Sequence, residues 1–553
     1  MSELKFIRGY PEYMRKLISN VEKTRMQRKD YVPPSMSVEE REEVLNQNHP
    51  DYTSGGKRKI SIGQNKGDIG PNEVVDLLEA YPLIKEEEID LSKVDYDVDI
   101  LIIGGGLAGT SAAIWANYKG ISSDKILLVN KLRHGDANSM MAEGGTQAAD
   151  RENDSPVIHF IDAIGGGHYT NKPDVLKALV EDAPLIMHWL EELGVMLDIE
   201  ENGDFVEKWG GGTCRKRMHA CRDYTGLEEM RVIRDEFRNR KIQCLEYYPA
   251  IELLTDEEGS VSGAILWNCE TGDYKIVRAK ATILATGGFG RLHIRGFPTT
   301  NHYGATCDGV VLAYRVGAML RDVDTVQYHP TGAAYPPQII GLLLTEKLRS
   351  MGAQPVNKDG EAFVFPLEPR DVEASSFIRE CYIREKGVLT PTGMRGVWLD
   401  TPLIDIKNGE GTIEKAFPGM DRMFKRFDID MKKDPVLVFP TLHYQNGGVE
   451  TDPEGKTNIQ GLFVAGEISG GVHGKNRLMG NSTLDCMVFG RRSGIYTAEY
   501  VKKVKKRKKL TLRHLKKYVT MLKDTGIRTK RKAPILLPEY RGKAVLARMI
   551  DLF

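Results

Sequence analysis

Residues 327–332 read Gln-Tyr-His-Pro-Thr-Gly, and Thr345-Glu346, Pro369-Arg370-Asp371, Thr441-Leu442-His443-Tyr444 and Asn476-Arg477-Leu478 follow. Together these segments supply His329, His443, Arg370, Arg477, Thr345 and Glu346. Those are the groups needed to grip a small molecule with two carboxylates, because a planar guanidinium fork binds two carboxylate oxygens at once. Upstream, Ile102-Ile103-Gly104-Gly105-Gly106-Leu107-Ala108-Gly109 has the spacing of a dinucleotide-phosphate cradle. A dicarboxylate site on a dinucleotide-binding chain points to flavin redox chemistry on a molecule such as fumarate or succinate.

Such chemistry sets requirements. Reducing an alkene between two carboxylates needs a hydride from flavin N5 at one carbon and a proton at its neighbour. It also needs strong donors at one carboxylate to polarise the double bond. On general chemistry alone Arg370 is a third carboxylate clamp, since a guanidinium is treated as permanently protonated.

These groups must be positioned by the elements around them. Val98 to Ile103 is predicted as a strand, the glycine turn follows, and Ser111 to Lys119 has helical spacing. Lys125 to Asn130 gives the second strand of a βαβ unit. In the cradle Gly104 makes the tight turn, Gly106 admits the pyrophosphate and Gly109 lets helix and strand pack closely. The second strand usually ends in a ribose-binding acid. Here Asn130 and Lys131 stand there, which removes the usual fingerprint for NAD. Asp174 to Leu193 reads as a helix, Tyr274 to Gly288 as strand, polar turn and second strand, and Gly461 to Glu467 as a final strand. Ala285-Thr286-Gly287-Gly288 and Gly466-Glu467 are either strand ends of the kind expected in two-domain flavoproteins or ordinary strand termini.

The expected fold is α/β: a two-dinucleotide-binding-type FAD domain with a Rossmann-like unit and an inserted α+β capping domain. The segments are 1–95 as an ordered extension or partner-docking arm, 96–326 and 445–500 as the FAD domain, 327–444 as the cap and 501–553 as a basic C-terminal piece. Ser37-Val38-Glu39-Glu40 predicts a capping box, and a second helix is expected near Asp76 to Tyr81. A helix is expected after Gly490, leading into the basic run Lys502 to Lys517.

With 77 basic and 77 acidic side chains, no global field recruits nucleic acid. The basic C-terminal run lacks interleaved aromatics, so a solvated helix or an acidic-partner dock is expected there. Seven cysteines are scattered without a cluster-ligand or metal spacing, which predicts reduced thiols, a cytoplasmic setting and no metal site. Ile100 to Tyr118 is uncharged for 19 residues. Its three consecutive glycines fit a strand, turn and helix rather than a membrane span.

In order, GGGLAG, AEGG (142–145), DYTG (223–226), ATGG, CDG (307–309), QYHPTG, TE, PRD, HYQNGG (443–448), GLFVAGE and GKNRLMGNS (474–482) closely resemble the flavoprotein subunit of the fumarate reductase/succinate dehydrogenase family. The resemblance runs from about residue 96 to 495, roughly seven-tenths of the chain. It has no counterpart for the first 95 residues, and the family's long helical C-terminal domain is not matched. It implies that His443 and Arg477 hold one carboxylate, that His329, Thr345 and Glu346 surround the other, and that Arg370 donates the proton. Glu346 and Arg349 would form a relay toward solvent. Arg217 and His219 stay outside this core set. For the cofactor it implies Gly104, Gly106, Leu107, Ala108, Gly109, Asn130, Lys131, Asn138, Ser139, Gly144, Gly145, Ala250, Ala285, Thr286, Gly287, Asp308, Glu467, Ser482 and Leu484. Many members carry a histidine bonded to the FAD 8α carbon. Asn138 stands at that place and His134 lies four residues earlier, so a noncovalent FAD is expected, released whole by acid precipitation. An iron–sulfur partner subunit would carry the electrons. The alternatives are L-aspartate oxidase, which resembles the same template, and an electron-transfer flavoprotein subunit without a small-molecule substrate.

Overall fold

A computed structural model describes residues 8–504, 509–538 and 550. Two sheets position the candidate groups. The first runs Gln243–Leu245, Ile126–Val129, Tyr96–Ile103, Tyr274–Leu284, Val261–Trp267, Ala250–Thr255, with Leu462–Val464 also paired to Tyr274–Leu284. Its first four strands and Leu462–Val464 are parallel, and its last two turn antiparallel. Ile126–Val129 and Leu462–Val464 are buried throughout, as parallel strands covered on both faces must be. The helix Leu107–Tyr118 lies against Asn481–Lys503. A Cβ at Gly490 or Gly494 would sit 2.6 or 2.4 Å from the carbonyl oxygens of Ala108 and Ala112, so only glycine allows this approach. The long helix begins at Asn481, well before the start expected after Gly490.

The expected break within Tyr274 to Gly288 is absent: Tyr274–Leu284 is one strand. Its polar residues are not a turn. Arg278 and Lys280 reach Asp97 and Asp99 on the neighbouring strand at 3.0 Å each, an alternation that fits one face of a ladder. The suspect apolar run Ile100 to Tyr118 divides into the end of a strand and a helix. Among the described residues no helix is long and apolar enough to cross a membrane.

The second sheet is antiparallel, in the order Val326–Ala333, Val436–Gln445, Arg395–Asp400, Gln354–Val356, with Val388–Leu389 on Arg395–Asp400. The N-terminal segment is built onto it. Helix Glu12–Arg28 buries Met14, Ile18 and Val21, one face at helical spacing, in the large core that also holds Trp398. Arg25 and Arg28 both pair with the buried Asp400. Ser37 and Glu40 form the capping box of helix Val38–Asn48, and the following helix, Asn72–Leu78, starts earlier than expected. At the other end Lys532–Ala533 pairs in parallel with Tyr81–Pro82. Part of the basic run, 505–508, lies outside the described residues.

Candidate active site

A single cavity runs from the glycine turn to the paired arginines. At one end Gly104 has φ +107°, and a Cβ there would stand 2.2 Å from the Ala285 carbonyl oxygen. A Cβ at Gly109 would lie 1.9 Å from Gly104 O, which explains the third glycine through packing rather than ligand contact. Ser139 Oγ accepts from Leu107 N–H at 3.1 Å and ties its loop to the helix start. Gly106, Leu107, Ala108, Asn130, Asn138, Ser139, Gly144, Gly145, Ala250, Ala285, Thr286, Gly287, Glu467 and Ser482 line this end together with Gly104. Lys131 and Asp308 also line it, but as a pair at 2.6 Å. Lys131 donates as well to Leu536 O, which ties the C-terminal piece to this wall residue.

These residues fit an FAD. The helix N-terminus and glycine backbone supply a phosphate cradle. Thr286 Oγ1 is buried without a protein partner on the cavity wall. Asn138 occupies the wall where the attaching histidine would stand. Its Nδ2 donates to Asn301 Oδ1 at 2.8 Å and Glu467 Oε2 at 3.1 Å, and its Oδ1 accepts from His302 N–H at 2.6 Å. His134 is turned elsewhere, bonded to Thr110 at 3.0 Å with its ring 4.7 Å from Phe237. Burial pulls His134 down to about 4, so it is a neutral packing residue.

At the other end the strands place His329 and His443 side by side, ring centroids 5.0 Å apart. His329 Nδ1 accepts from the backbone N–H of Thr331 at 3.2 Å. Burial beside Arg370 holds its pKa well below the usual histidine value. A neutral ring whose Nδ1 accepts must carry its proton on Nε2, which makes His329 a donor toward the cavity. His443 is likewise held neutral by burial and by Arg370 and Arg477, with Nδ1 2.7 Å from Thr300 Oγ1. Arg370 Nη1 and Arg477 Nη2 both donate to Gln327 Oε1, at 2.9 and 2.8 Å. Arg477 also lies over the Tyr444 ring at 4.3 Å. Burial and Arg370 lower it to about 9, which leaves it charged at neutral pH. Arg370 Nε donates to Glu346 Oε2 at 2.9 Å, and Gly211 N–H holds Glu346 Oε1 at 2.6 Å. Thr345 completes this wall.

The cavity thus brings together every expected residue but three. Gly109 packs beneath it, Leu484 is buried inside its helix, and Arg349 stands behind Glu346. Arg349 is fully buried, so it does not open the expected relay to solvent. Arg217 and His219 sit apart, paired with Asp154 and Asp162 and with Asp150. Sequence reasoning assigned no role to Gln327 or Gly211. Gln327 lies two residues before His329 on one strand, the spacing that signals a shared face. Gly211 contributes only backbone, which no residue pattern reveals.

A cavity of this shape on this sheet defines a flavoprotein oxidoreductase, and a family model described as an FAD binding domain matches residues 99–483. One subunit of the fumarate reductase (CoM/CoB) of Methanothermobacter marburgensis is 37% identical over 415 residues, 73% of each chain. An L-aspartate oxidase of Nostoc is 34% identical over 421 residues, 74% of this chain and 69% of that one. Among solved structures, the FrdA chain of E. coli quinol fumarate reductase superposes with a TM-score of 0.69 at 30% identity, covering 78% of this chain and 74% of that one. The chain belongs to the family of fumarate reductase and succinate dehydrogenase flavoprotein subunits.

Proposed function

We propose that this chain is the catalytic flavoprotein of an enzyme that interconverts fumarate and succinate, working toward fumarate reduction. The observation that carries this reading is the convergence of Arg370, Arg477, His329 and His443 at one end of the FAD cavity. Two charged guanidinium groups match two carboxylates, and two neutral imidazoles add donors without adding charge. His443 and Arg477 hold one carboxylate; His329 and Thr345 hold the other. Arg370, clamped by Glu346 and Gln327, is aimed to deliver the proton. Bound FAD supplies the hydride chemistry. The buried wall side chains limit the water that could compete for that proton.

L-aspartate oxidase relatives make aspartate the rival substrate. Its ammonium would need an ionised acid. Glu346 is already held by Arg370 and Gly211, while burial and neighbouring Asp223 push the Glu143 carboxyl well above the usual carboxylate range. The site therefore favours a substrate without an amine. Electrons would enter through an iron–sulfur partner, since the chain's seven cysteines are all free and scattered. Isolation from the source as a cluster-free single chain, active with its physiological donor, would exclude that partner.

The test is a substrate panel on purified protein under anaerobic conditions. Reduced viologen should be consumed with fumarate, and an oxidised dye should be reduced with succinate. Dye reduction with L-aspartate but not succinate would replace this reading with the oxidase.

A further inference from the structure

The chain of buried charges behind Arg370 does not end where the resemblance ends it. Arg370 Nε meets Glu346 Oε2 at 2.9 Å, and Arg349 Nη2 lies 3.3 Å from the same oxygen. On its far side Arg349 Nη1 is paired with Glu373 and donates to Pro366 O at 2.6 Å. The side chains of Arg349 and Glu373 are both 0% exposed. A relay that stopped at Arg349 would have no water to draw on.

Glu373 supplies the missing acid. One of its oxygens, Oε1, has no hydrogen-bond partner. Burial raises its pKa well above the usual carboxylate value, against the lowering by neighbouring Arg349. The next carboxyl outward is Glu368, whose charge acts on Glu373. Glu368 Oε1 accepts from Ser35 Oγ at 2.8 Å and Met36 N–H at 2.6 Å, and its Oε2 pairs with Arg41 at 2.8 Å. Arg41 is 33% exposed. The N-terminal segment therefore builds the outer end of the chain of charges, a task for which the 96–495 resemblance has no part.

We propose that Glu373 is a relay residue that recharges Arg370 through Arg349 and Glu346, drawing protons from the surface where Ser35 and Arg41 hold Glu368. This rests on the fumarate reading above. Each turnover adds one hydride and one proton across the double bond. The hydride comes from reduced flavin, which is left oxidised, and the proton leaves an Arg370 nitrogen for the neighbouring carbon. Arg370 regains it from Glu346, Glu346 from Arg349, Arg349 from Glu373, and Glu373 from the surface by way of Glu368, so no charge accumulates.

Glu373→Gln tests this, because it keeps the side-chain volume and removes the acid. With reduced viologen as donor, fumarate turnover should fall roughly 10- to 100-fold, less than the full effect of losing a general acid. The solvent deuterium isotope effect on turnover should rise as reprotonation becomes limiting. FAD content and fumarate affinity, read from the flavin absorbance change on binding, should match the unmodified protein, and Glu373→Asp should recover part of the rate. A Glu373→Gln protein with full FAD, unchanged turnover and unchanged isotope effect would overturn the relay alone. Should that variant lose FAD, Glu368→Gln reads the outer end, and normal turnover with a normal isotope effect there overturns the proposal equally. An unmodified protein inactive toward fumarate would overturn both the substrate reading and the relay.

Discussion

Arg370 and Arg477 share one acceptor, Gln327 Oε1, and this holds two like charges close together in a buried wall. A bound dicarboxylate would relieve their mutual repulsion, so this wall is electrostatically suited to the proposed substrate. The resemblance gave Arg370 a proton-donor role that general chemistry resists. The structure supplies the physical context: burial lowers its pKa while Glu346 raises it and fixes its direction. Arg370→Lys keeps a charge but loses the fork that meets both Glu346 and Gln327. Fumarate turnover should drop by about 10²–10⁴-fold with FAD still bound, measured as rate per bound flavin. A variant that kept its turnover and lost only affinity would make Arg370 a clamp. The types and order of the site residues were legible in the sequence. Their partners were not, since Gly211, Thr300 and Glu373 act through contacts between distant segments.

Elements carry the site by facing one another across the two sheets, and one contact latches them. His168 follows the helix Pro156–Gly166, and its Nε2 lies 2.6 Å from Asp371 Oδ2 at the start of helix Arg370–Ile378. Asp371 also accepts from Asn476 Nδ2 at 3.1 Å. The charged and titratable neighbours are Lys475 near His168 and His49 near Asp371, His49 itself facing Asp51 and Lys57. The Asp371 hydrogen bond raises His168, and His168 in turn lowers Asp371 despite burial. A raised histidine contributes stability that is complete below its unfolded pKa and lost as pH rises through the folded value. A lowered aspartate contributes stability present above its unfolded pKa and lost as pH falls through the folded value. The latch is therefore strongest in mildly acidic solution. His168→Asn should lower Tm there by about 1–2 °C, given the partial exposure of the pair. The difference should shrink as pH climbs past the histidine's raised pKa; a Tm difference constant from acid to alkaline pH would contradict the latch. At this scale the strand, glycine turn and helix were legible because local periodicity and glycine spacing fix them. The unbroken strand Tyr274–Leu284 was not, because its charges are satisfied by Asp97 and Asp99 of another strand.

At the scale of the whole molecule, both terminal segments pack onto the body that holds the cavity. Tyr81–Pro82 and Lys532–Ala533 pair with each other, and Leu536 O receives Lys131 and Thr306 at the edge of the cofactor end. Leu512 and Leu515 pack with Leu254 and Ile265 beneath the antiparallel strands. The N-terminal segment spends its apolar face inside the chain and offers Arg41 and Ser35 to the relay. None of this was legible from composition, which showed only a charged, Pro- and Gly-broken start and a basic end. The central claim remains that one cavity holds FAD and a dicarboxylate in reacting contact, and it needs no partner to be tested. The protein can be photoreduced anaerobically and mixed with fumarate in a single turnover. The account predicts that the oxidised flavin spectrum returns with about one succinate formed per FAD, as a two-electron hydride transfer requires. Flavin that stays reduced in the presence of saturating fumarate would contradict it.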